Sequence, residues 1–238
     1  MDVTPIVRCS FMDIIVAKDS EDGKSAAWQG TAMFEKSNPE HVSWLKKTSA
    51  EYDAFLAACY PDPAKRPRIK FTGDANSPCK DGDTAVNKMG IPIKEKYPEY
   101  EGHYILRFGA VAKSTNSKTG EIKVFSRKHT VYGNVWDPKA GAWNIINDQT
   151  QIYGGCWGRF GGNFYQRKRS DNPGVSVGLQ GFQFVKDGEP FGSAPLSPDA
   201  FGALPGMNDP ANYESDPFAT SAHQPPVQTD NPFGDMGF

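Results

Sequence analysis

The sequence lacks the features that mark membrane and secreted proteins. No apolar run approaches the roughly 18 residues that a membrane span requires, and the first residues do not show the charged-then-apolar order of a signal peptide. The four cysteines, Cys9, Cys59, Cys79 and Cys156, form no C-x-x-C pair, so neither a zinc site nor a disulfide framework is indicated. We therefore expect a soluble, cytoplasmic protein without metal or cofactor, whose thiols are reduced and mostly buried.

Catalytic motifs are missing as well. The histidines and carboxylates form no H-E-x-x-H, G-x-S-x-G or Walker motif. Asp81 and Asp83 flank Gly82 like the beginning of a calcium loop, but the glycine and the distal glutamate fall in the wrong places, so a turn is predicted. The carboxylate cluster that a metal-dependent nuclease needs is not visible either. The sequence therefore predicts a protein that is not an enzyme.

Basic residues are absent from the last part of the chain. The first 186 residues hold all 26 Lys and Arg against 20 Asp and Glu, a net charge of +6, whereas the last 52 residues hold eight acidic residues and carry a charge of −8. A basic body joined to an acidic tail is associated with polyanion binding and its regulation.

The acidic tail is also poor in apolar residues. From Asp187 onward, nine Pro and six Gly occur in 52 residues, a composition typical of disordered chain. The remaining aromatics recur beside acidic residues, in "DAFG", "DPF", "DNPFG" and "GDMGF". We therefore predict a disordered acidic tail over 189–238 that binds a partner, and a folded domain over 1–188. The candidate partner-binding residues of the tail are Asp230, Phe233, Asp235 and Phe238.

The body is rich in β-branched and aromatic runs separated by turns. One helix is predicted at about 38–60, where Asn38 is a plausible N-cap and Pro39 suits the first turn. Five or more strands with one helix, and glycines that permit bends, predict a mainly β fold with a small barrel. The predicted strands are 4–18 and 26–36, which form a hairpin, followed by 103–113, 121–135, 150–168 and 174–188.

Cations alternate with aromatic residues along several of these strands. Read with a period of two, the strand at 121–131 places Lys123, Phe125, Arg127 and His129 on one face, and a second mixed face begins at Tyr153. Such surfaces suit single-stranded nucleic acid, because cations neutralise phosphates and rings stack on exposed bases. The candidate contact residues are Tyr104, Arg107, Lys123, Phe125, Arg127, Tyr153, Trp157, Arg159, Phe164, Tyr165, Arg167, Lys168 and Arg169.

A series of motifs resembles a known family. "NPEHVSWLKKTSAEYDAFLAACY", "CKDGDTAVNK", "YPEYEGHYILRFGA", "YGGCW" and "GVSVGLQGFQFVKDGE", within roughly residues 5–190, are similar to bacteriophage single-stranded-DNA-binding proteins. The resemblance implies an OB-fold barrel that coats single-stranded DNA during replication, recombination and repair, without strong sequence preference. The tail is similar to the acidic, aromatic-ended tails of bacterial and phage single-strand binders. This implies regulation of DNA binding and recruitment of replication proteins such as DNA polymerase and helicase or primase, in the cytoplasm of the infected host.

One alternative assigns the chain to another class of protein. "DPF" and "NPF" are also docking motifs by which eukaryotic trafficking proteins recruit adaptor domains, and on this interpretation the body would be a protein-interaction module. Each motif occurs once, and the alternative does not explain the basic, aromatic body. The preference for DNA or RNA and the oligomeric state, with a homodimer as one option, stay open.

Overall fold

The structure is a computed structural model that describes residues 1–73, 77–87, 89–116, 118–167 and 173–192. The described residues belong to one compact unit, Met1–Ser193. Of the predicted tail over 189–238, residues 189–192 are described and belong to this unit, so the folded body extends past the predicted boundary at 188. Residues 193–238 lie outside the described ranges, and the tail there stays a prediction. None of the helices in the described ranges is long and apolar enough to cross a membrane.

The predicted helix is present as α1, Pro39–Cys59. Asn38 caps it, because its side-chain oxygen accepts hydrogen bonds from the backbone N–H groups of Glu40 and His41 at 3.0 and 3.5 Å. The buried residues of α1 recur at helical spacing: His41, Leu45, Thr48, Tyr52 and Leu56. The sequence prediction of this helix is confirmed.

Nine strands occur in the described part of the chain, and five of them form a closed circuit. β1 pairs with β2 and β8, β2 with β4, β8 with β9, and β9 makes a parallel contact with β4. This closure confirms the predicted OB-type barrel. The strands are β1 Val7–Asp19, β2 Ala26–Glu35, β3 Cys79–Asp81, β4 His103–Thr115, β5 Ile122–Val124, β6 Thr130–Asp137, β7 Ala142–Ile145, β8 Trp157–Arg167 and β9 Gly174–Lys186; α2 is Ile93–Lys96, and 3₁₀ turns lie at Pro98–Tyr100 and Gln149–Gln151.

Aromatic rings fill the barrel interior. Phe160 stacks on Phe108 with 4.7 Å between ring centroids and contacts Phe182 at 4.8 Å, and all three are buried. Gly30 has to lack a side chain, because a Cβ there would lie 2.6 Å from the Phe160 ring. α1 extends this core, since Tyr52 packs edge-on against Phe164 at 5.7 Å.

The cysteines are free thiols and mostly buried, as the sequence predicts. Cys9, Cys79 and Cys156 are buried, whereas Cys59 at the end of α1 is partly exposed. Burial raises the pKa of the Cys79 thiol to about 12, so this thiol stays protonated at neutral pH.

One predicted strand is interrupted in the structure. The sequence pattern predicts a single strand over 121–135, but the structure has β5, then irregular chain over 125–129, and then the hairpin of β6 and β7. His129 turns inward, where its Nε2 lies 2.6 Å from the carbonyl oxygen of Ile14. The predicted common face of Lys123, Phe125, Arg127 and His129 is therefore wrong, because the side chains do not alternate regularly outside a strand.

Candidate nucleic-acid interface

A continuous groove crosses the outside of the barrel. Its three sections are joined by shared lining residues: Lys80 and Arg107 line the first and second, and Ala110 and Val111 line the second and third. We call the three sections together the barrel groove. The barrel strands β2, β4, β8 and β9 supply about half of its lining residues, and the rest come from β1, β3 and the connecting segments.

The lining of the barrel groove is predominantly cationic. Among the described residues that line it, there are five Lys and Arg against the single carboxylate of Glu21. Burial lowers the pKa of His129, which also lines the groove, so this ring adds no charge at neutral pH. The cations are Lys18, Lys80, Arg107, Lys128 and Arg167. The groove therefore attracts a polyanion.

Aromatic rings flank these cations. Phe11 and Tyr97 line the first section and contact each other edge to face, with 5.1 Å between ring centroids. Phe11 reaches the surface from β1 at a register irregularity, where its φ is 50°. Tyr165 lines the second section and Phe125 lines the third, and both rings are exposed. Rings in all three sections could stack on unpaired bases.

The central cation, Arg107, projects outward from β4. Its guanidinium donates a hydrogen bond to the side-chain oxygen of Gln29, which lies on the paired strand β2. Lys80 of β3 lies in the same lining, and its neighbour in register on β4 is Ile105. Two strands thus place two cations at the junction of the first and second sections.

Arg167 has two donor atoms without a partner in the described part of the chain. Its Nε and Nη2 atoms are buried but have no hydrogen-bond partner among the described residues. Such donors are costly to leave unpaired, and a phosphate oxygen would satisfy them. The Arg167 side chain lines the second section together with Tyr165 and Ser176.

Four of the predicted contact residues line the barrel groove: Arg107, Phe125, Tyr165 and Arg167. Lys168 and Arg169 lie outside the described residues, as do Asp230, Phe233, Asp235 and Phe238 of the tail.

Three predicted aromatic residues have intramolecular partners elsewhere. The Tyr153 hydroxyl donates to Asp187 Oδ1 at 2.8 Å, because Tyr153 lies in a turn before β8 rather than on the predicted strand. The ammonium of Lys186 lies 5.2 Å from the centroid of the Trp157 ring. Phe164 packs against the rings of Tyr52, Phe55 and Phe71, which makes it part of the core beneath α1.

The remaining predicted residues also lie off the groove lining. Tyr104 has the Lys36 ammonium 4.9 Å from its ring centroid. Arg127 donates to Asn147 Oδ1 at 3.0 Å, and Arg159 donates to the Thr4 carbonyl oxygen at 3.1 Å. Lys123 is exposed on β5. Their contribution to nucleic-acid binding stays a prediction.

Several residues that line the groove were not predicted as contact residues from the sequence. Lys80 lies on a three-residue strand within a segment that reads as loop, and Phe11 is turned outward by the irregularity in β1. Lys18 and Tyr97 have no local pattern that points to a ligand. A useful signal was the alternation of β4, which places Arg107, Gly109 and Val111 on one side.

The predicted turn around Gly82 is a structural element. Lys36 contacts Asp81 Oδ1 at 2.5 Å and Asp83 Oδ2 at 2.6 Å. A Cβ at Gly82 would lie 2.0 Å from the carbonyl oxygen of Tyr100, so only glycine fits. In the described part of the chain, no three His, Cys, Asp or Glu side chains come close enough to hold a metal ion.

The last described residues lie beside one end of the barrel groove. Phe191 donates its backbone N–H to the carbonyl oxygen of Gly154 at 2.9 Å, and the Arg8 guanidinium lies 4.4 Å from its ring centroid. Phe191 and Gly192 line a surface depression that also includes Phe11 and Tyr97, which belong to the first section of the groove.

A five-stranded barrel of this connectivity, with an open groove across its strands, is an OB fold, a class that binds oligonucleotides and oligosaccharides on this surface. The chain belongs to the family of the ssDNA-binding protein of Enterobacter phage Enc34, whose model matches residues 2–213. This membership confirms the resemblance noted in the sequence. It also confirms that the protein is not an enzyme, because the family is one of binding proteins.

Solved structures share the fold at low sequence identity. The single-stranded DNA-binding protein from bacteriophage Enc34 in complex with ssDNA is 18% identical, with a TM-score of 0.56 over 80% of this chain and 88% of that chain. The same phage protein without the complex is 16% identical, with a TM-score of 0.53 over 82% and 86% of the two chains. Among curated proteins, none matches this chain in sequence.

Proposed function

We propose that this protein binds single-stranded DNA in the barrel groove without strong sequence preference. The observation that carries the proposal is the continuity of the groove, in which five cations lie between exposed rings along the outside of the barrel. Cations neutralise the phosphates, and stacking is worth about 1–3 kcal/mol per base whatever the base. The family and the fold both support this function.

The family supports the biological setting that we propose. A phage protein that coats single-stranded DNA acts in the cytoplasm of the infected host, where it protects strands during replication, recombination and repair. The acidic residues of the tail would compete with DNA for the groove, and Phe233 and Phe238 with Asp230 and Asp235 would recruit a polymerase, helicase or primase. The exit of the chain at Gly192, beside Phe11 and Tyr97, supports this competition, because a tail tethered there has a high effective concentration at the groove.

The test is a titration of fluorescent oligothymidine at several salt concentrations. We expect tighter binding of single strands than of duplex, because the rings need unpaired bases. Changing Lys80 and Arg107 together to Ala should weaken binding most at low salt. The same change should flatten the log–log salt slope by about 1.4, because each phosphate that a cation neutralises contributes about 0.7 to that slope.

The matched control removes two charges away from the groove. Lys46 and Lys65 are exposed and do not line it, so their double alanine variant should bind like the wild type. Equal salt slopes for the wild type and the Lys80/Arg107 variant would contradict the assignment of the groove. If the wild-type protein does not bind the oligonucleotide, the result would contradict the proposed function itself and favour the adaptor interpretation.

A further inference from the structure

The hairpin of β6 and β7 carries an exposed apolar face. Tyr132, Trp136, Trp143 and Ile145 expose 38%, 48%, 39% and 59% of their surface. The two tryptophans are partners in register and contact each other edge to face, with 5.3 Å between ring centroids. A cluster of large apolar side chains that stays exposed marks an interaction site. We call these four residues the aromatic ribbon.

Strand register shows that the four side chains share one face. Tyr132 pairs with Ile145, and Trp136 pairs with Trp143. Residues 143 and 145 are two positions apart on β7, so their side chains point to the same side. Paired residues on neighbouring strands also point to the same side. The ribbon is therefore one surface rather than four scattered residues.

The same reasoning places the ribbon on the outer side of the barrel sheet. Tyr132 pairs with Gln183 of β9, and Gln183 pairs with Arg159 of β8. Arg159 alternates along β8 with the buried Phe160, on the same side as Tyr165 and Arg167. Tyr165 and Arg167 line the barrel groove. The ribbon thus continues the side of the sheet that carries the groove.

The ribbon is also connected to the groove through the chain. Phe125 and Lys128 line the third section of the groove, and β6 begins two residues after Lys128. Cations lie at both ends of the ribbon: Arg127 and Lys128 at its base and Lys139 in the turn at its tip. Asp137, the carboxylate of the hairpin itself, is engaged in that turn, where it accepts hydrogen bonds from the backbone N–H groups of Lys139 and Ala140 at 2.8 and 3.2 Å.

We propose that the aromatic ribbon is a second stacking platform for single-stranded nucleic acid, which holds bases of a strand that extends beyond the barrel groove. This inference rests on the proposed function of the groove. Rings in the middle of the ribbon and cations at its ends match the alternation of bases and phosphates along a single strand. Continuity with the cationic groove favours this occupant over an apolar protein partner.

The test compares a short and a long oligothymidine, of about 6 and about 30 nucleotides, since one OB fold covers roughly 4–16. Changing Trp136 and Trp143 together to Ala should lower affinity for the long strand by at least about 10-fold and leave affinity for the short strand unchanged. The salt slope should stay nearly constant, because the substitution removes no cation that neutralises a phosphate. Part of the tryptophan fluorescence quenching by the long strand should also disappear.

Two further variants keep the test decisive. Trp136→Phe with Trp143→Phe retains rings and should retain most of the affinity for the long strand, which also guards against misfolding of the alanine variant. Ile122→Ala with Val124→Ala removes exposed apolar residues of β5 that lie off the ribbon, and should have no effect.

Several outcomes would overturn the platform. Unchanged long-strand affinity in the alanine variant would do so, as would an equal loss at both lengths. A loss that accompanies dissociation of a wild-type oligomer in sedimentation would assign the ribbon to a second copy of the chain instead. Failure of the proposed function is distinguishable, since the wild type would then fail to bind the short strand.

Discussion

Gly109 of β4 and Gly178 of β9 face each other across the parallel contact that closes the barrel. Gly109 also lines the groove, and a Cβ there would lie no closer than 3.7 Å to its nearest neighbour, the Trp28 carbonyl oxygen. The closure of the barrel thus leaves bare backbone in the DNA path that we propose.

A side chain at Gly109 should block this path without damaging the fold. We expect Gly109→Leu to weaken oligothymidine binding at least about 10-fold, because a leucine there fills the groove while the position itself has room for a Cβ. The titration and a urea unfolding curve together test this. Ala54→Leu, at an exposed position of α1, is the control that adds a leucine elsewhere. If Gly109→Leu binds as tightly as the wild type, the DNA path does not cross the second section of the groove.

A side chain at Gly30, unlike one at Gly109, should lower the stability of the fold. A Cβ there would lie 2.6 Å from Phe160 Cε1 and 3.1 Å from Ile14 Cγ2, so Gly30→Ala overfills the core. We expect a loss of about 1–3 kcal/mol in the free energy of unfolding, measured by urea denaturation. Gly109→Ala is the matched control and should change stability far less. Equal stability of the two variants would contradict the packing described for the barrel interior.

The contact of Lys36 with Asp83 should make stability depend on pH. The hydrogen bond from Lys36 lowers the pKa of Asp83, so the contact stabilises the folded protein above the unfolded pKa of about 3.9 and loses this effect as the pH falls through the lower, folded value. The urea midpoint of Lys36→Met should therefore lie below that of the wild type at pH 7 and approach it at pH 3. Lys46→Met, which removes an exposed lysine, should show no such convergence. A constant difference across this pH range would argue against the ion pair.

Removal of residues 193–238 should raise affinity for single strands. The cut is placed after Gly192 because Phe191 packs beneath Arg8 and belongs to the body. Without the acidic residues of the tail, the gain should be largest at low salt, where electrostatic competition is least screened. A full-length variant with these carboxylates changed to amides should reproduce the gain. Lower affinity after truncation would contradict competition by the tail.

Phe238 should matter for partners and not for DNA. Deleting it alone should leave oligothymidine affinity nearly unchanged, because one ring adds little to a competition governed by charge. Capture of replication proteins from infected-cell extract should weaken, since a terminal ring is the anchor that we propose for a partner's pocket. Equal capture by both proteins would argue against this anchor.

The sequence by itself determined the elements whose signals are local. Asn38 and Pro39 mark the start of α1, since a cap depends only on neighbouring backbone groups. The long strands β1, β2, β4, β8 and β9 follow alternating or β-rich runs, and the charge difference between body and tail is a property of composition. These features were sufficient to predict the family and a barrel fold.

The tertiary structure alone decided which side chains share a surface. Phe164 and Tyr165 are neighbours in sequence, but one packs beneath α1 and the other lines the groove. Lys80 joins Arg107 only because β3 pairs with β4, and the Trp136 and Trp143 rings meet only because β6 and β7 form a hairpin. A period of two tells that alternate residues face opposite sides, but it does not tell which side is covered by a helix or by the closure of a barrel. That depends on contacts between residues far apart in the chain, which no local pattern encodes.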